Sequence, residues 1–219
     1  PSKNKRVFAG TELYVHKINQ LLKCKEIDEV WLDTEDQEMI EHVSDFPIKV
    51  LKRHEDLSSN STDGHKLFDN EVQAVASYAD IVVQCLCTAP FLDDTAIDRA
   101  LIDFKKANNL SMLAINKAKQ YVWQDGAPAY GYDTIPNSSE VQETILESMS
   151  FYAVKKQLFR KGRRFYKNPM FIETNAIQNL DINRPEDLVL AENIYTGNRA
   201  KERNYFKLVK NSLNSSILS

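Results

Sequence analysis

Long hydrophobic runs are missing from this sequence. A helix that crosses a membrane needs about 20 mainly apolar residues, and no run of even about 18 occurs here. The first residues also lack the charged and then apolar pattern of a secretory leader. We therefore expect no membrane association and no secretory signal.

Cysteine is scarce as well. Only Cys24, Cys85 and Cys87 are present, which is too few for a disulfide framework. Cys85 and Cys87 alternate along a predicted strand, which places both thiols on one face. The four histidines lack the spacing of zinc ligands. These features favour the reducing cytoplasm and argue against a zinc site.

The sequence has no strong charge of either sign. A formal net charge of −3 and a pI near 5.9 give no overall field that would hold a polyanion. The basic run "KKQLFRKGRRFYK" at 155–167 contains Leu158, Phe159, Phe165 and Tyr166. This mixture predicts a packed amphipathic helix with a solvated face. We expect no nucleic-acid partner.

What the chain does have is an alternation of helical and strand patterns. Its 219 residues, 42% hydrophobic and 27% charged, suffice for one α/β core. The predicted elements are helix 14–22, strand 27–34, helix 35–43, strand 48–53, helix 64–79, strand 80–87, helix 93–107 and strand 110–118. This order predicts a mainly parallel sheet with helices on both faces.

Charged residues cluster where ligands bind in such sheets, at the carboxyl ends of the strands. Lys3, Lys5 and Arg6 are suitable donors for a triphosphate. The stretch "NLDINRPEDLVLAENI" at 179–194 places Asp181 where a predicted buried strand, ending at Ile182, runs into a helix. A cationic loop facing a carboxylate is reasonable if Mg²⁺ lies between them.

Each of these residues also has a structural interpretation. Asp181 is equally well placed to cap the helix that follows it. The basic residues at the start of the sequence are consistent with a solvated charge cluster. Arg53 is able to pair with a neighbouring acid, and Thr88 to cap the helix that begins near residue 93. Glu186 and Asp187 are typical first-turn residues that complement the helix dipole.

Six segments in order resemble the acylneuraminate cytidylyltransferases, and together they span roughly residues 1–195. They are "PSKNKRV", "IDEVWLDTED", "VLKRHEDLSSNSTDG", "CTAPFLDDTAI", "ESMSFYAV" and "LDINRPEDLVLAE". The last is the best match, because the family pattern is Asp-Ile-Asp followed by Pro-Glu-Asp-Leu and Ala-Glu. The resemblance implies a Rossmann-like nucleotide-diphospho-sugar transferase fold. It also implies CTP as donor, Mg²⁺ as cofactor, an acidic sugar as acceptor, pyrophosphate as product and a homodimer.

The resemblance assigns roles to particular residues. It places the phosphate-contacting loop on Pro1, Ser2, Lys3, Lys5, Arg6 and Val7, with the preceding strand lying before Pro1. Asp181, Lys5 and Arg6 would be catalytic, and Asp181 with Asn183 would hold the metal. Arg53 and Thr88 would contact the nucleotide. The remaining predicted residues, which would shape the acceptor pocket, are Trp123, Tyr130, Ser139, Glu147 and Tyr152.

Three departures from the family pattern leave the acceptor and the activity open. Asn183 replaces the second aspartate of Asp-Ile-Asp, and Leu86 stands at the base-reading Gln, for which Gln84 is the nearest substitute. The segment "PNSS" at 136–139 lacks an Arg that could hold an acceptor carboxylate. Transfer to a nonulosonic acid therefore stands beside two alternatives. One is the same chemistry on a 3-deoxy-octulosonate-like sugar or a phosphonate, and the other is a weakened nucleotide-sugar binding protein.

The predicted organisation is a nucleotidyltransferase domain over 1–197 and a tail helix over 198–219. Within the domain, the segment 120–146 is rich in Gly, Pro, Tyr and Asn and interrupts the βα alternation. We expect this segment to form part of the acceptor pocket or of a dimer contact.

Overall fold

The computed structural model describes residues 3–59 and 61–199. The strands are β1 (Val7–Phe8), β2 (Thr11–Glu12), β3 (Trp31–Thr34), β4 (Lys49–Lys52), β5 (Ile81–Cys85), β6 (Ser111–Ala118), β7 (Trp123–Gln124), β8 (Ala127–Pro128), β9 (Thr144–Lys155) and β10 (Met170–Glu173). The helices are α1 (Leu13–Leu21), α2 (Gln37–His42), α3 (Gly64–Val75), α4 (Asp94–Lys106) and α5, which covers 185–199. No helix within the described ranges is long and apolar enough to cross a membrane.

The main sheet has the strand order β10-β6-β9-β5. β10 runs parallel to β6, whereas β9 is antiparallel to both β6 and β5. Three of the four strands therefore point the same way, and β9 lies between two of them in the opposite direction. β3 and β4 form a separate parallel pair. This arrangement confirms the predicted α/β fold with a mainly parallel, mixed sheet.

Helices cover both faces of this sheet. Ile97, Leu101 and Phe104 of α4 pack against one face, on a buried cluster that includes Phe151 and Ala153 of β9. On the other face, Phe68 and Val72 of α3 pack against Val82 and Val154. Because side chains alternate along a strand, neighbouring residues of β9 belong to the two different cores.

A bulge interrupts β9 and changes which of its side chains lie together. The pairing of β9 with β6 shifts between Leu113, which pairs with Tyr152, and Ile115, which pairs with Glu147. Met149 within the bulge has a φ of +47°, in the left-handed region. Residues five apart on a regular strand face opposite sides, yet the Tyr152 hydroxyl donates a hydrogen bond to Glu147. The bulge therefore brings two predicted acceptor residues to one side.

The predicted strand that ends at Ile182 is wrong. The last strand, β10, ends at Glu173, and the backbone over 174–184 is irregular. Ile182 is fully buried, but its N–H donates to the carbonyl of Thr88 at 2.8 Å instead of to a neighbouring strand. Burial without sheet pairing explains why the apolar pattern resembled a strand end.

The predicted amphipathic helix over 155–167 is also wrong. Only a short 3₁₀ turn, Lys156–Leu158, forms there. Gly162 has a φ of +55°, and a Cβ at this position would lie 2.4 Å from the Cα of Asp69. A continuous helix is therefore incompatible with the close approach of this loop to α3.

Some predictions fall outside the described residues. These are the roles of Pro1 and Ser2 and most of the tail helix predicted over 198–219, because residues 200–219 are not described. The division into a domain over 1–197 and a tail stays a prediction.

Candidate functional site

The amino-terminal basic loop meets the loop before α5. The Lys3 ammonium donates to Asn183 Oδ1 at 2.7 Å, and Asn183 Nδ2 donates to Asp181 Oδ2 at 2.6 Å. The Ile182–Thr88 backbone hydrogen bond fixes this loop beside the loop that follows β5. Residues separated by 180 positions in sequence are thereby joined into one polar cluster.

Two buried atoms of this region have no hydrogen-bond partner among the described residues. They are Asp181 Oδ1 and Arg6 Nη1. A buried polar atom without a partner costs about 1–3 kcal/mol, so such atoms are expected where a ligand completes the site. The first is an anionic oxygen that suits a divalent cation, and the second is a donor that suits a phosphate oxygen.

The donor set is compatible with Mg²⁺ held partly by substrate. The described part of the chain contains no group of three or more His, Cys, Asp or Glu side chains that could hold a metal ion. Mg²⁺ commonly binds through one or two protein oxygens together with substrate phosphates and water. Asp181 Oδ1 fits such a site directly, whereas Asn183 Oδ1 is occupied by Lys3.

Asp187, not Asp181, caps α5. Asp187 Oδ2 accepts from the backbone N–H of Asn183 at 3.0 Å and from that of Arg184 at 2.7 Å. These two hydrogen bonds lower the pKa of Asp187. Asp187 therefore has the first-turn role expected from the sequence, and Asp181 accepts no backbone hydrogen bond among those observed in the described residues.

Lys5 lies at the start of α2 instead of beside Asp181. Its ammonium is 2.7 Å from Asp36 Oδ2 and 2.5 Å from Glu38 Oε2. The hydrogen bonds that the Lys5 ammonium donates to the Asp36 and Glu38 carboxylates raise the pKa of Lys5 well above its ordinary value. Asp36 also caps α2 through the N–H groups of Glu38 and Met39. The structure thus separates Lys5 from the polar cluster of Lys3 and Asp181.

Arg53 follows β4 and pairs with acids at the carboxyl end of β3. Its guanidinium donates to both carboxylate oxygens of Asp33 at 3.0–3.2 Å and to the Asp33 carbonyl at 3.0 Å. Glu35 Oε2 lies 3.3 Å from Arg53 Nη1. The acid pairing weighed from the sequence is therefore present, at the strand edge where nucleotides bind in such sheets.

Sequence reasoning missed Glu71, the neighbour of this pair. Gln84 is 6% exposed, and its Nε2 lies 2.7 Å from each Glu71 carboxylate oxygen. Burial, and then the nearby Asp33 carboxylate, raise the pKa of Glu71 to about 8. Gln84 is therefore engaged by Glu71. Glu71 follows Phe68 by three residues on α3, a spacing that could have placed it on the buried face.

Side chains of α1 donate hydrogen bonds to backbone carbonyls of the loop that contains Thr88. Thr88 is 4% exposed. The Lys17 ammonium donates to the Leu92 carbonyl at 3.0 Å, and Gln20 Nε2 donates to the Pro90 carbonyl at 2.7 Å. Burial lowers the pKa of Lys17. These contacts fix the loop after β5, including the Thr88 carbonyl that binds Ile182.

A cavity of about 460 Å³ lies at the side of the sheet where Glu147 meets Tyr152. Its lining combines basic, aromatic and acidic side chains, among them His65, Arg163, Lys167, Phe165, Phe171 and Glu147. The neighbouring Arg164 guanidinium lies 4.8 Å from the Tyr152 ring centroid. Most of these residues come from the 155–167 run and its continuation, which the sequence pattern had assigned to a helix.

The other predicted acceptor residues do not line this cavity. Trp123 is 60% exposed on β7, and Tyr130 makes an edge-to-face contact with Tyr121, with ring centroids 5.5 Å apart. Ser139 Oγ donates to Asn137 Oδ1 at 3.3 Å on the exposed surface. Of the predicted acceptor set, Glu147 lines the cavity, Tyr152 is buried beneath it and donates its hydroxyl hydrogen bond to Glu147, and the other three lie in the irregular segment over 120–146.

Comparison with known proteins identifies the family. A family model described as cytidylyltransferase matches residues 1–125, which is more than half of the chain. The chain belongs to the cytidylyltransferase family. N-acylneuraminate cytidylyltransferase A of Danio rerio is 22% identical over 204 residues, covering 88% of this chain and 46% of that protein. The chain thus spans about half the length of this curated relative.

Solved structures support the same fold. A 4-diphosphocytidyl-2C-methyl-D-erythritol synthase from Anaerococcus prevotii superposes with a TM-score of 0.66 at 16% identity, over 90% of this chain and 94% of that one. A CMP:2-keto-3-deoxy-manno-octonic acid synthetase complexed with CTP gives a TM-score of 0.65 at 14% identity, over 90% and 93% of the two chains. These similarities show that the chain shares the fold of these two proteins.

Proposed function

We propose that this protein transfers CMP from CTP to an acidic sugar of the nonulosonic class and releases pyrophosphate. The observation that carries this proposal is the cluster of Lys3, Asn183 and Asp181. Asp181 and Arg6 each contribute a buried atom that has no hydrogen-bond partner among the described residues. A cationic donor and an anionic oxygen that both lack partners suit a metal–triphosphate better than either ion alone.

Nucleotide binding would rearrange this cluster. The Lys3 ammonium would move from Asn183 Oδ1 to a phosphate oxygen, which leaves the Asn183 oxygen free beside Asp181. Arg6 Nη1 would donate to a second phosphate oxygen. Asp181, with Asn183 once released, would hold Mg²⁺. Bound there, Mg²⁺ would supply stabilisation of the negative charge on the departing pyrophosphate.

The protein's own contribution to the reaction is positioning and electrostatic stabilisation. The acceptor hydroxyl oxygen forms a bond to the α-phosphorus while the bond from that phosphorus to the pyrophosphate oxygen breaks in line. Lys3 and Arg6 would stabilise charge on the leaving group. No covalent intermediate with a protein side chain is required.

The cavity beside Tyr152 supports an acidic acceptor. Its volume of about 460 Å³ is in the range that holds a small ligand. Arg163 and Lys167 line it and suit a carboxylate, while Glu147 suits sugar hydroxyls. This lining supplies cations that the segment "PNSS" lacks.

A homodimer in a reducing cytoplasm is part of the same proposal. Trp123, Tyr132 and Ile135 of the 120–146 segment are 60%, 74% and 76% exposed, which suits contact with a second copy. Cys24, Cys85 and Cys87 are free thiols, as expected in a reducing compartment. Light scattering of the purified chain would measure the oligomeric state.

Pyrophosphate release tests the proposal. We would assay each nucleoside triphosphate with Mg²⁺ against nonulosonic acids, 3-deoxy-octulosonate-like sugars and phosphonates. The expected result is release from CTP alone and only with nonulosonic acids. Release with another acceptor would keep the donor and correct the acceptor. CTP binding without release from any pair would instead favour a weakened binding protein, which the single carboxylate at the metal position makes a specific alternative.

A further inference from the structure

The carboxyl ends of β3, β4 and β5 carry a second polar cluster, separate from Asp181. Asp33 lies on β3, Arg53 follows β4 and Gln84 lies on β5. Glu71 of α3 contacts Gln84 and lies beside Asp33. Among the described residues no hydrogen bond joins Glu71 to Arg53 directly, and the Asp33 carboxylate lies between them.

The carboxylates of Asp33 and Glu71 lie close together and have few hydrogen-bond donors around them. Asp33 accepts from the Arg53 guanidinium, whereas the hydrogen-bond donor to Glu71 among the described residues is the neutral amide of Gln84. The other groups facing Glu71 are Arg164 from the loop after β9 and the Cys85 thiol of β5. Burial raises the pKa of Cys85 to about 11, so this thiol adds no negative charge at neutral pH.

A proton on Glu71 removes the repulsion between its carboxylate and that of Asp33. A neutral carboxyl accepts from Gln84 Nε2 and donates from its O–H to Asp33, leaving one negative charge opposite Arg53. An ionised Glu71 would place a second negative charge against Asp33 in a low-dielectric environment. The pKa of about 8 that burial gives Glu71 means that the proton is retained at neutral pH and lost at mildly alkaline pH.

We propose that Glu71 is a positioning residue for nucleotide binding: its neutral carboxyl holds Asp33 and, through Asp33, keeps Arg53 in the orientation that binds CTP. This inference rests on the proposed function for the identity of the ligand, CTP, and on the position of Arg53 at the carboxyl ends of the strands, where nucleotides bind in such sheets. Ionisation of Glu71 draws Arg53 towards the added charge and removes it from the nucleotide. CTP affinity therefore falls as the pH rises.

The size of the effect follows from the protonated fraction. If only the protonated form binds, the apparent Kd is the intrinsic Kd divided by that fraction. With a pKa of about 8, roughly nine-tenths of the protein is competent at pH 7 and roughly one-tenth at pH 9. We expect about a tenfold rise in the Kd for Mg–CTP between pH 7 and pH 9.

Calorimetric titration of Mg–CTP at both pH values tests this with three variants of the full chain. Glu71→Gln keeps an acceptor for Gln84 and a fixed donor for Asp33, so its Kd should change less than about threefold between the two pH values. Glu71→Leu removes both contacts and should weaken binding at both. Glu41→Gln, which removes an exposed carboxylate of α2, should keep the wild-type pH dependence.

A second measurement needs no nucleotide. Glu71 has a folded pKa above its unfolded value, so the folded state retains a proton that the unfolded chain releases between about pH 4.5 and 8. Wild-type stability should therefore fall with rising pH relative to Glu71→Gln across that window. The relative thermal midpoint of Glu71→Gln should rise over the same range.

The outcomes separate the two proposals. If the wild type binds CTP and Glu71→Gln shows the same pH dependence as the wild type, the positioning role is refuted and the proposed function stands. If the wild type binds no CTP at any pH, the proposed function fails and the inference fails with it. A stability difference that does not vary with pH would overturn the protonated state of Glu71 by itself.

Discussion

Asp181 and Asp187 lie six residues apart, and their replacement by Ala should have opposite effects on catalytic turnover and on stability. Asp181 carries a buried carboxylate oxygen with no partner, whereas Asp187 accepts two backbone N–H groups at the start of α5. We expect Asp181→Ala to lower catalytic turnover strongly without loss of stability. We expect Asp187→Ala to lower stability with little loss of catalysis.

The magnitude for Asp181→Ala has two parts. Loss of the anionic ligand should lower turnover by about 10²–10³-fold, the range seen when one preorganised electrostatic group is removed. Removing the unpaired buried oxygen relieves about 1–3 kcal/mol. The lost hydrogen bond from the exposed Asn183 contributes about 1 kcal/mol or less, because water replaces it. Stability should be unchanged or higher by up to about 3 kcal/mol.

The magnitude for Asp187→Ala follows from helix capping. Loss of an N-terminal cap costs about 1 kcal/mol, which lowers the thermal midpoint of a domain of this size by about 2–4 °C. Because the folded pKa of Asp187 is depressed, its contribution is complete at neutral pH and is lost as the pH falls below about 4. The deficit of the variant should therefore disappear in acid.

Pyrophosphate release and thermal unfolding, measured side by side, test this pair. Circular dichroism at the assay temperature controls for the folded fraction of each variant. The reasoning is refuted if Asp181→Ala loses more than about 1 kcal/mol of stability, because Asp181 would then be structural. It is refuted equally if folded Asp187→Ala loses as much activity as Asp181→Ala.

Two further predictions concern backbone strain and the cavity. Gly10→Ala, at a φ of +90° with no atom near the new Cβ, should cost about 1–2 kcal/mol. Gly162→Ala adds an overlap at 1.7 Å with Asp69 Oδ1 and should cost about 3–5 kcal/mol in urea unfolding; equal losses would contradict the close contact. Tyr152→Phe removes the hydroxyl that donates to Glu147, so steady-state kinetics should show a higher KM for the sugar and an unchanged KM for CTP. A change confined to the KM for CTP would place the cavity at the nucleotide instead.

Local patterns in the sequence determined the fold class. Apolar periodicity in each segment decides which face of a helix or strand is buried, and the alternation of the two kinds of segment predicts a layered α/β sheet. The same local chemistry placed Asp187 as a first-turn residue and Asp181 next to α5. Lys3 was assigned to the same site because charged residues follow strands at a predictable edge.

Tertiary structure alone decided how distant residues meet. The bulge in β9 puts Glu147 and Tyr152 on one side, although their spacing predicts opposite sides, because the register shift depends on pairing with β6. Lys5 forms an ion pair with Asp36, the residue that caps α2, and so lies apart from Asp181. Burial and the nearby Asp33 carboxylate raise the pKa of Glu71, an interaction between α3 and β3. Sequence periodicity reports the burial of a residue but not its partner, since that partner comes from a remote part of the chain.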